Sequence, residues 1–570
     1  MVFLAIYYLL VTAICFWIGV VLYSIMQKKM PSGSGIHFLL TGLIALAALG
    51  QWIVLFGPVN LRVLIVILLM MLIVSYFKRG RVREMMLSAC YELKNKSAGF
   101  YGSLICFLIM IVILNAGPIM MDDTQSYHIQ MIKWIREYGS VPGIANLHLR
   151  FGFNSSWFTT CALLTQPLSG INGYCALNGL ISCWFCYFLL AKIFYSPAGI
   201  VSPRSLALRA GSIFLLGFCF LNWSVIRGAA TSANYDFITT ICLVVLFTEL
   251  FENPEHLGIE WVIWPVYLFT VRMINAPLIL LSVFYFLSDR KNGRTRRLLC
   301  GSFLLGFLVI PFVIRNLILS GYPFFPIYQL DWFSFDWKAD KRAVVEISEY
   351  IKYFNRVNSG FRPLAETRAL GFPQWIFYWF MYLFRFDRIL VIMSVVGYAY
   401  VLFKARYHFT SWQRYFTGIM ILELAIWFFT APDPRFVQGG LLFGVFAAIA
   451  MAPISPKIGS RNIQVLTGLL SAAVLVYGIS KLKDPSYRNL AYPSPLPKPQ
   501  VRTVLVDHLE LHIPGKVLDN WNARCYDVDL PCLYRVDPRL MARGGSIAEG
   551  FKLKKDSAQV WMNGEYDIKK

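Results

Sequence analysis

Two adjacent carboxylates, Asp122 and Asp123, stand shortly after a long apolar run that ends at Ile119. Adjacent carboxylates repel each other, which raises the pKa of one of them unless a cation or a hydrogen-bond donor neutralises the pair. Such a pair suits a general base, and it equally suits the ligands of a hard divalent cation. The competing interpretation is a pair that is simply solvated at a membrane edge. We predict a catalytic Asp123 with Asp122 as its helper, and both are candidate ligands if a metal is bound.

Further ionisable side chains occur at the ends of apolar runs, where a charge is costly and usually has a function. They are Arg227, Asp236, Arg272, Arg315, Asp433 and Arg435. Each arginine alone could simply extend its guanidinium to the membrane surface. Together, on the same face as the acidic pair, the four arginines predict a cavity that binds anions, because a planar guanidinium donates two hydrogen bonds to a phosphate. The pattern therefore predicts a phosphate-headed lipid bound beside an acidic group.

The elements that must position these residues are membrane helices. Of the 570 residues, 57% are hydrophobic and 15% are charged, and the mean hydropathy is +0.57, which excludes a soluble globular domain. No charge precedes the first apolar run and no cleavage site follows it, so we predict a retained helix and not a signal peptide. The expected fold class is an all-α polytopic membrane protein.

The basic residues predict how these helices cross the membrane. We predict fourteen transmembrane helices, near residues 2–26, 36–56, 61–77, 101–119, 172–194, 209–227, 233–251, 258–272, 275–288, 298–316, 388–403, 413–430, 436–453 and 463–480. The basic clusters fall at 27–29, 78–83, 204–209, 289–297, 404–406 and 457–461. With the N-terminus outside, every cluster lies inside, as the positive-inside rule requires. The net charge of +22 therefore indicates orientation and not a nucleic-acid partner.

Composition divides the chain into four parts. Residues 1–100 hold extra N-terminal helices, and 101–483 form a catalytic membrane region with external loops at 120–171 and 317–378. Apolar spacing predicts a helix over 341–355 in the second loop. A Pro-rich linker at 484–500 leads to an external appendage at 501–570, of α/β or β type, in which "TVLVDHLELHI" alternates like a strand.

The cysteines give one structural prediction. Cys525 and Cys532 lie in the polar appendage, which the topology places in an oxidising compartment, so we predict a disulfide between them. Cys183 and Cys186 share a C-x-x-C spacing but lie inside an apolar run. We interpret those two as small apolar helix residues.

Three stretches carry a resemblance to a known class of enzymes. They are "DDTQSYHIQMIKWIREYGSVPGIANLHLRFGFNSSWF", "RNLILSGYPFFP" and "PDPRF". With the layout of residues 100 to 450, they resemble the GT-C class of membrane glycosyltransferases, which includes protein O-mannosyltransferases and the aminoarabinose transferase of lipid A. The closest resemblance is to uncharacterised bacterial members. It implies that Asp123 is the catalytic residue, although the mannosyltransferases have Asp-Glu where this chain has Asp122-Asp123.

The resemblance also implies a reaction. The donor would be a polyprenyl phosphate carrying one sugar, and the acceptor a hydroxyl of a glycan, lipid or protein outside a bacterial inner membrane. Transfer would invert the anomeric carbon, with Asp123 as base or orienting group and the arginines stabilising the departing phosphate. The acceptor side would be shaped by Tyr127, His128, Asn154, Asp236, Tyr322 and Asp433.

Other classes of protein stay open at this point. A polysaccharide polymerase or ligase depends on a late external loop, and the loop at 317–378 contains Arg342, Arg356, Arg362 and Arg368. A transporter should have broken helices in matching halves, which the sequence lacks. A lipid-binding scaffold would not need the acidic pair. We expect the transferase.

Overall fold

The computed structural model describes residues 1–26, 34–94, 96–165, 172–195, 202–254, 257–288, 294–357, 364–453, 460–515 and 524–554. This part of the chain is mostly helical, with twenty α-helices and two small β-sheets near the C-terminus. Of the predicted basic clusters, 27–29 and parts of 289–297 and 457–461 lie outside the described residues, as does Arg362.

The first ten helices are α1 (Val2–Met26), α2 (Ser34–Ile53), α3 (Leu61–Phe77), α4 (Arg79–Lys94), α5 (Ala98–Ala116), α6 (Ile129–Glu137), α7 (Ser156–Leu164), α8 (Ala176–Ile193), α9 (Pro203–Leu221) and α10 (Asp236–Glu252). The others are α11 (Glu260–Val271), α12 (Ile279–Ser288), α13 (Arg294–Ser320), α14 (Lys341–Phe354), α15 (Leu364–Ala369), α16 (Phe372–Tyr382), α17 (Arg385–His408), α18 (Ser411–Thr430), α19 (Gln438–Met451) and α20 (Ser460–Lys481).

Long apolar helices make the chain a multi-pass membrane protein. Within the described residues, nine helices are long and apolar enough to cross a membrane, or ten if the bent pair α3–α4 forms one span. The predicted count of fourteen is not confirmed. Three of the predicted spans fold as shorter helices, since α10 has 17 residues, α11 has 12 and α12 has 10, and a spanning helix needs about 20.

The bundle relies on close approach between backbones, as membrane helices do when small residues face each other. In the pair formed by α1 and α2, a Cβ on Gly19 would lie 1.9 Å from the carbonyl oxygen of Phe38. A Cβ on Gly42 would lie 1.9 Å from the carbonyl oxygen of Cys15. Any larger residue at either glycine would therefore force the two helices apart.

The sequence analysis placed the basic stretch 78–83 in a loop between two spans, but the structure shows a helix there. The stretch begins α4, which leaves α3 at an angle of 99°. One side of α4 packs on the end of α1, with Val82, Met85 and Ala89 buried against Val20 and Tyr23. The sequence interpretation missed this helix because its apolar positions are few and lie between charges.

The predicted helix over 341–355 is observed as α14. Its buried face, which includes Val344 and Ile347, packs in a second apolar cluster with Tyr322 and Phe325. The linker after α20 packs against the end of α5, where the Ser494 N–H donates to the Ala116 carbonyl at 2.7 Å.

The C-terminal region is of β type. Strands β1 (Val501–Val506) and β2 (Leu509–Pro514) form an antiparallel hairpin, and β3 (Leu540–Ala542) pairs antiparallel with β4 (Phe551–Leu553). The stretch that alternates like one strand is thus a hairpin, which reverses at Asp507 with a φ of 53°. The region is not a detached appendage, because the Phe551 N–H donates to the Pro142 carbonyl at 3.0 Å.

Candidate active site

A π-helical turn, Thr124–His128, connects the end of α5 to α6 and begins directly after Asp123. Single π-helical turns are rare and are often found at functional sites. The Thr124 hydroxyl accepts from the Ala233 N–H at 3.3 Å and lies 2.9 Å from His128 Nδ1. These contacts fix the turn against the segment that precedes α10, and Asp123 is held where the turn starts.

Asp123 faces two arginines that come from distant parts of the chain. Arg150 Nη1 lies 3.2 Å from Asp123 Oδ1, and Arg435 Nη1 lies 3.4 Å from Asp123 Oδ2. The carboxylate is 26% exposed, so water reaches part of it. Burial opposes ionisation, but the charges of Arg435 and Arg150 outweigh it and hold the pKa of Asp123 below its ordinary value. Asp123 is therefore ionised at neutral pH.

Arg435 extends the charge network towards two more carboxylates. Its Nε lies 2.9 Å from Asp433 Oδ2 and 4.0 Å from Asp236 Oδ2. Asp236 in turn forms an ion pair with Arg272. We name the resulting set the acid–arginine cluster; its members are Asp123, Arg150, Asp236, Arg272, Asp433 and Arg435. The three carboxylates balance the three guanidinium groups in charge. This pairing offsets the cost of removing six charged groups partly from water.

Aromatic rings separate the arginines of the cluster. The ring of Phe436 lies 3.4 Å from the guanidinium carbon of Arg272 and 5.0 Å from that of Arg435. The Tyr127 ring lies 5.6 Å from the guanidinium carbon of Arg150. Cation–π contacts of this kind attract the guanidinium groups and limit their freedom to rotate. The cluster is thus positioned by packing as well as by charge.

The "PDPRF" turn is anchored by two indoles. The Trp379 Nε1–H donates to the Pro432 carbonyl at 2.6 Å, and the Trp427 Nε1–H donates to the Asp433 carbonyl at 2.7 Å. The Asp433 carboxylate also accepts from the Arg435 N–H at 3.1 Å, which caps the short helical turn that follows. These bonds explain how a proline-rich turn presents Arg435 in one orientation.

Arg315 is a buried guanidinium with spare hydrogen-bonding capacity. It is fully buried in α13, and its Nη1 donates to Asn154 Oδ1 at 2.6 Å. Its Nε and Nη2 have no partner within the described residues. A buried charge without a counter-charge is costly. An anion bound there would remove that cost, as the sequence pattern predicts for a phosphate.

The structure gives Arg227 and Tyr322 other surroundings. Arg227 donates to the Leu114 carbonyl at 3.1 Å and to the Tyr487 hydroxyl at 2.5 Å, so it ties the linker to the end of α5. Tyr322 is buried in the second apolar cluster, with Lys338 Nζ 4.8 Å from its ring. These contacts indicate that both residues stabilise the fold. The sequence analysis did not predict this role for either residue.

His128 is buried beneath Asp123 among aromatic rings. Its ring centroid lies 5.1 Å from that of Phe158 and 5.6 Å from that of Tyr235. Burial lowers the pKa of His128 to about 3, and the nearby Asp123 charge only partly opposes this. The imidazole is therefore neutral at neutral pH and supports the π-helical turn through its bond to Thr124.

Asp122 does not share the partners of Asp123. Its more exposed carboxylate lies 3.2 Å from Arg524 Nη2, in the C-terminal region. Arg524 precedes the loop closed by Cys525 and Cys532, which form a disulfide in the structure. We name residues 524–533 the disulfide loop.

The disulfide loop packs against α6 through polar contacts. Gln130 Nε2 donates to the Tyr526 and Val528 carbonyls at 3.1 and 3.0 Å. Lys133 Nζ donates to the Asp527 and Val528 carbonyls at 3.0 and 2.9 Å. The C-terminal region thus forms one wall beside the acidic pair.

The acidic pair does not suit a divalent cation in this arrangement. Asp123 faces Arg150 and Arg435, while Asp122 faces Arg524, so both carboxylates already meet positive charge. Within the described ranges, no group of three or more His, Cys, Asp or Glu side chains could hold a metal ion.

Comparison with known families gives one match. The model of a domain of unknown function (DUF8201) matches residues 1–442, which includes every residue of the acid–arginine cluster. The chain belongs to this family. No curated protein and no solved structure matches the chain.

Proposed function

We propose that the protein is a membrane glycosyltransferase of GT-C type, which transfers a sugar from a polyprenyl-phosphate donor to an acceptor hydroxyl. In this proposal the N-terminus and the acid–arginine cluster face the outside of a bacterial inner membrane. The positive loops inside and the resemblance of the Asp122–Asp123 stretch support it.

The convergence of Asp123 with Arg435 carries the proposal. The two residues are 312 positions apart, and they come from two of the three stretches that resemble the glycosyltransferases. A simple solvated carboxylate would not need a second buried carboxylate, two further arginines and an aromatic ring around it. A site that must handle a negatively charged donor needs guanidinium groups held in fixed positions, and the carboxylates of the cluster hold Arg150, Arg272 and Arg435 in this way.

The cluster suggests how the chemistry proceeds. The acceptor oxygen attacks the anomeric carbon, the bond from that carbon to the phosphate oxygen breaks, and the electron pair leaves with the lipid phosphate. The acceptor proton passes to Asp123 or to the departing phosphate. The pKa of Asp123 lies below its ordinary value, so its carboxylate is a weak base. In this proposal it therefore orients the acceptor hydroxyl and accepts the proton only late in the displacement.

The donor phosphate would meet Arg315 and the arginines of the cluster. Among the described residues, Nε and Nη2 of Arg315 have no hydrogen-bond partner. The Ser155 hydroxyl, next to Asn154, donates to the carbonyl of Val271 at 2.8 Å. That bond links the Arg315 region to the residue preceding Arg272. A phosphate between them would stabilise both guanidinium groups.

The acceptor would approach from the C-terminal side. A small cleft beside Ser126 is lined by His148, Phe151, Tyr534 and the disulfide. The Ser126 hydroxyl donates to the Asp122 carbonyl at 2.9 Å, so the cleft ends next to the acidic pair. Aromatic and polar side chains of this kind could contact a hydroxyl group of an acceptor that approaches along this side.

A polymerase or ligase receives less support. In the late loop, Arg368 pairs with Glu349, and Arg356 lies over the Trp375 ring at 4.4 Å. These arginines are engaged within the loop itself, whereas such an enzyme would direct them towards the reacting glycan.

The test is an assay of sugar release and transfer. Purified protein in liposomes is supplied with a panel of polyprenyl-phosphate sugars and with membrane extract as the acceptor source. We expect one donor to be consumed with formation of free polyprenyl phosphate, and the Asp123→Asn variant to consume it about 10²–10⁴-fold more slowly. If no donor is consumed by the wild-type protein while the acid–arginine cluster is intact, the proposal fails.

A further inference from the structure

A second functional surface lies at the opposite end of the bundle from Asp123. Helix α5 begins beside the end of α4 and ends shortly before Asp123, and its 19 residues span about 28 Å at 1.5 Å per residue. The surface described below is therefore separate from the acid–arginine cluster, and it does not depend on the proposed function.

Helix α4 has the position of a helix that lies along the membrane surface. The apolar helix α3, with Ile65, Leu69 and Ile73 exposed, presents a lipid-facing side. It ends in the exposed aromatic residues Tyr76 and Phe77, which are typical of a membrane–water interface. The chain then turns by 99° into α4. A helix at nearly a right angle to a spanning helix runs parallel to the membrane plane.

The exposed side of α4 combines positive charge with apolar side chains. Arg79, Arg83, Leu87 and Tyr91 are spaced four residues apart, so they form one ridge along the helix. All four are exposed, Leu87 to 60% and Tyr91 to 70%. Arginines extend from such a ridge to the headgroups while leucine and tyrosine enter the acyl boundary.

The net charge of residues 78–91 favours an anionic binding partner. Lys78, Arg79, Arg81 and Arg83 outweigh the single acidic residue Glu84, which leaves an excess of three positive charges over residues 78–91. Arg81 is engaged with the Ser24 carbonyl at 2.9 Å, and it holds α4 to α1. Lys78, Arg79 and Arg83 are exposed, with the guanidinium carbon of Arg79 5.6 Å from the Tyr76 ring, and these cations can meet a partner. An anionic headgroup layer complements them.

We propose that α4 is an interfacial helix that binds anionic phospholipid, with Arg79 and Arg83 contacting headgroup phosphates and with Leu87 and Tyr91 inserted beside them. A basic residue near an anionic membrane surface contributes an energy that corresponds to about fivefold in affinity. Loss of both arginines should therefore weaken binding of anionic lipid roughly 30-fold.

The experiment titrates the full-length protein, purified in neutral detergent, with phosphatidylglycerol and separately with phosphatidylcholine, and records the midpoint of thermal unfolding. We expect only phosphatidylglycerol to raise the midpoint. The double variant Arg79→Gln/Arg83→Gln should need roughly 30-fold more of it. The matched control Lys498→Gln/Arg502→Gln removes two exposed charges from the C-terminal side and should respond like the wild type.

Two further variants distinguish a lipid from other partners. Arg79→Lys/Arg83→Lys keeps the charge and should keep the response, which also shows that α4 tolerates substitution. Leu87→Gln should weaken the response to phosphatidylglycerol, and soluble polyaspartate should change the midpoint of the wild type little. Equal responses of the wild type and the double glutamine variant would overturn the proposal. A response to polyaspartate as strong as that to phosphatidylglycerol would overturn it too, in favour of an acidic protein partner.

Discussion

Arg435 Nη1 lies 3.4 Å from Asp123 Oδ2, although the two residues are separated by 312 positions in the chain. One follows α5 and the other precedes α19, so the contact forms only when the bundle has closed. The same guanidinium also faces Asp433 and Asp236. A single side chain thereby connects Asp123 to two other carboxylates of the site that we propose.

Replacing Asp123 by asparagine tests the catalytic carboxylate. Asp123→Asn keeps the shape of the side chain but cannot hold a proton, and we expect sugar transfer to fall by about 10²–10⁴-fold while donor binding persists. The matched control is Asp122→Asn, whose carboxylate pairs with Arg524 and not with the cluster. We expect a milder loss there. Near wild-type turnover by Asp123→Asn would remove the carboxylate from the mechanism.

Replacing Arg435 by lysine tests the geometry of the cluster. Arg435→Lys keeps the charge, but a lysine cannot bridge Asp123 and Asp433 with separate nitrogens. We expect sugar transfer to fall at least tenfold because the two carboxylates lose their common partner. Arg368→Lys, in the exposed pair with Glu349, serves as the control and should change little. Equal rates in both variants would mean that a point charge is sufficient.

The pH dependence of stability tests the neutral state of His128. The folded pKa is about 3 and the ordinary value is 6.5, so the unfolded chain takes up a proton first as the pH falls. His128 therefore costs no stability above pH 6.5 and lowers stability increasingly between pH 6.5 and about 3. We expect the unfolding midpoint of His128→Asn to fall less from pH 7.5 to 4.5 than that of the wild type. His508→Asn, at an exposed hairpin position, should fall as the wild type does.

Loss of the disulfide should loosen the C-terminal wall without unfolding the bundle. Cys525 and Cys532 close a short loop, so the expected loss of stability for Cys525→Ser is on the order of 2–3 kcal/mol. We expect faster proteolysis within the disulfide loop and unchanged protection of the membrane helices, measured by mass spectrometry of the fragments. Two free thiols in the purified wild-type protein would contradict the disulfide itself.

Cysteine labelling tests the orientation. Ser334→Cys should react with an impermeant reagent on intact cells, whereas Ser88→Cys, on α4, should react only after the cells are opened. Asn292→Cys should behave like Ser88→Cys, since we predict an inside loop there. Both serines are exposed, and the background of exposed Cys90 is removed by Cys90→Ser. The reverse labelling pattern would invert the functional interpretation.

The sequence predicted the site best at charged residues that stand beside long apolar runs. Asp123, Asp236, Arg272 and Arg435 stood out because a charge at the end of an apolar run needs a reason. The structure brings these four together in one cluster. Hydropathy was less informative about span number, because an apolar helix such as α11, with 12 residues, is shorter than the roughly 20 residues that a spanning helix needs.

Arg150 and Arg524 were missed for the opposite reason. Arg150 lies in the loop before α7 and Arg524 in the polar C-terminal region, where an arginine is unremarkable, and only tertiary packing shows that they face Asp123 and Asp122. Phe436 was likewise hidden, since an aromatic residue beside apolar neighbours usually indicates packing and not a contact with two guanidinium groups. No local pattern could have identified these three residues.

The contacts of the disulfide loop have a consequence for the order of assembly. Arg524 and the carbonyls that accept from Lys133 follow α20 in the chain, so a ribosome makes them after all the membrane helices. The turn that carries the acidic pair is synthesised about four hundred residues before its outer wall, as the separation of 402 positions between Asp122 and Arg524 shows. A nascent or truncated chain therefore holds this turn without its cover. The acidic pair gains its outer wall only after the disulfide loop has been made, and the disulfide between Cys525 and Cys532 then closes that loop.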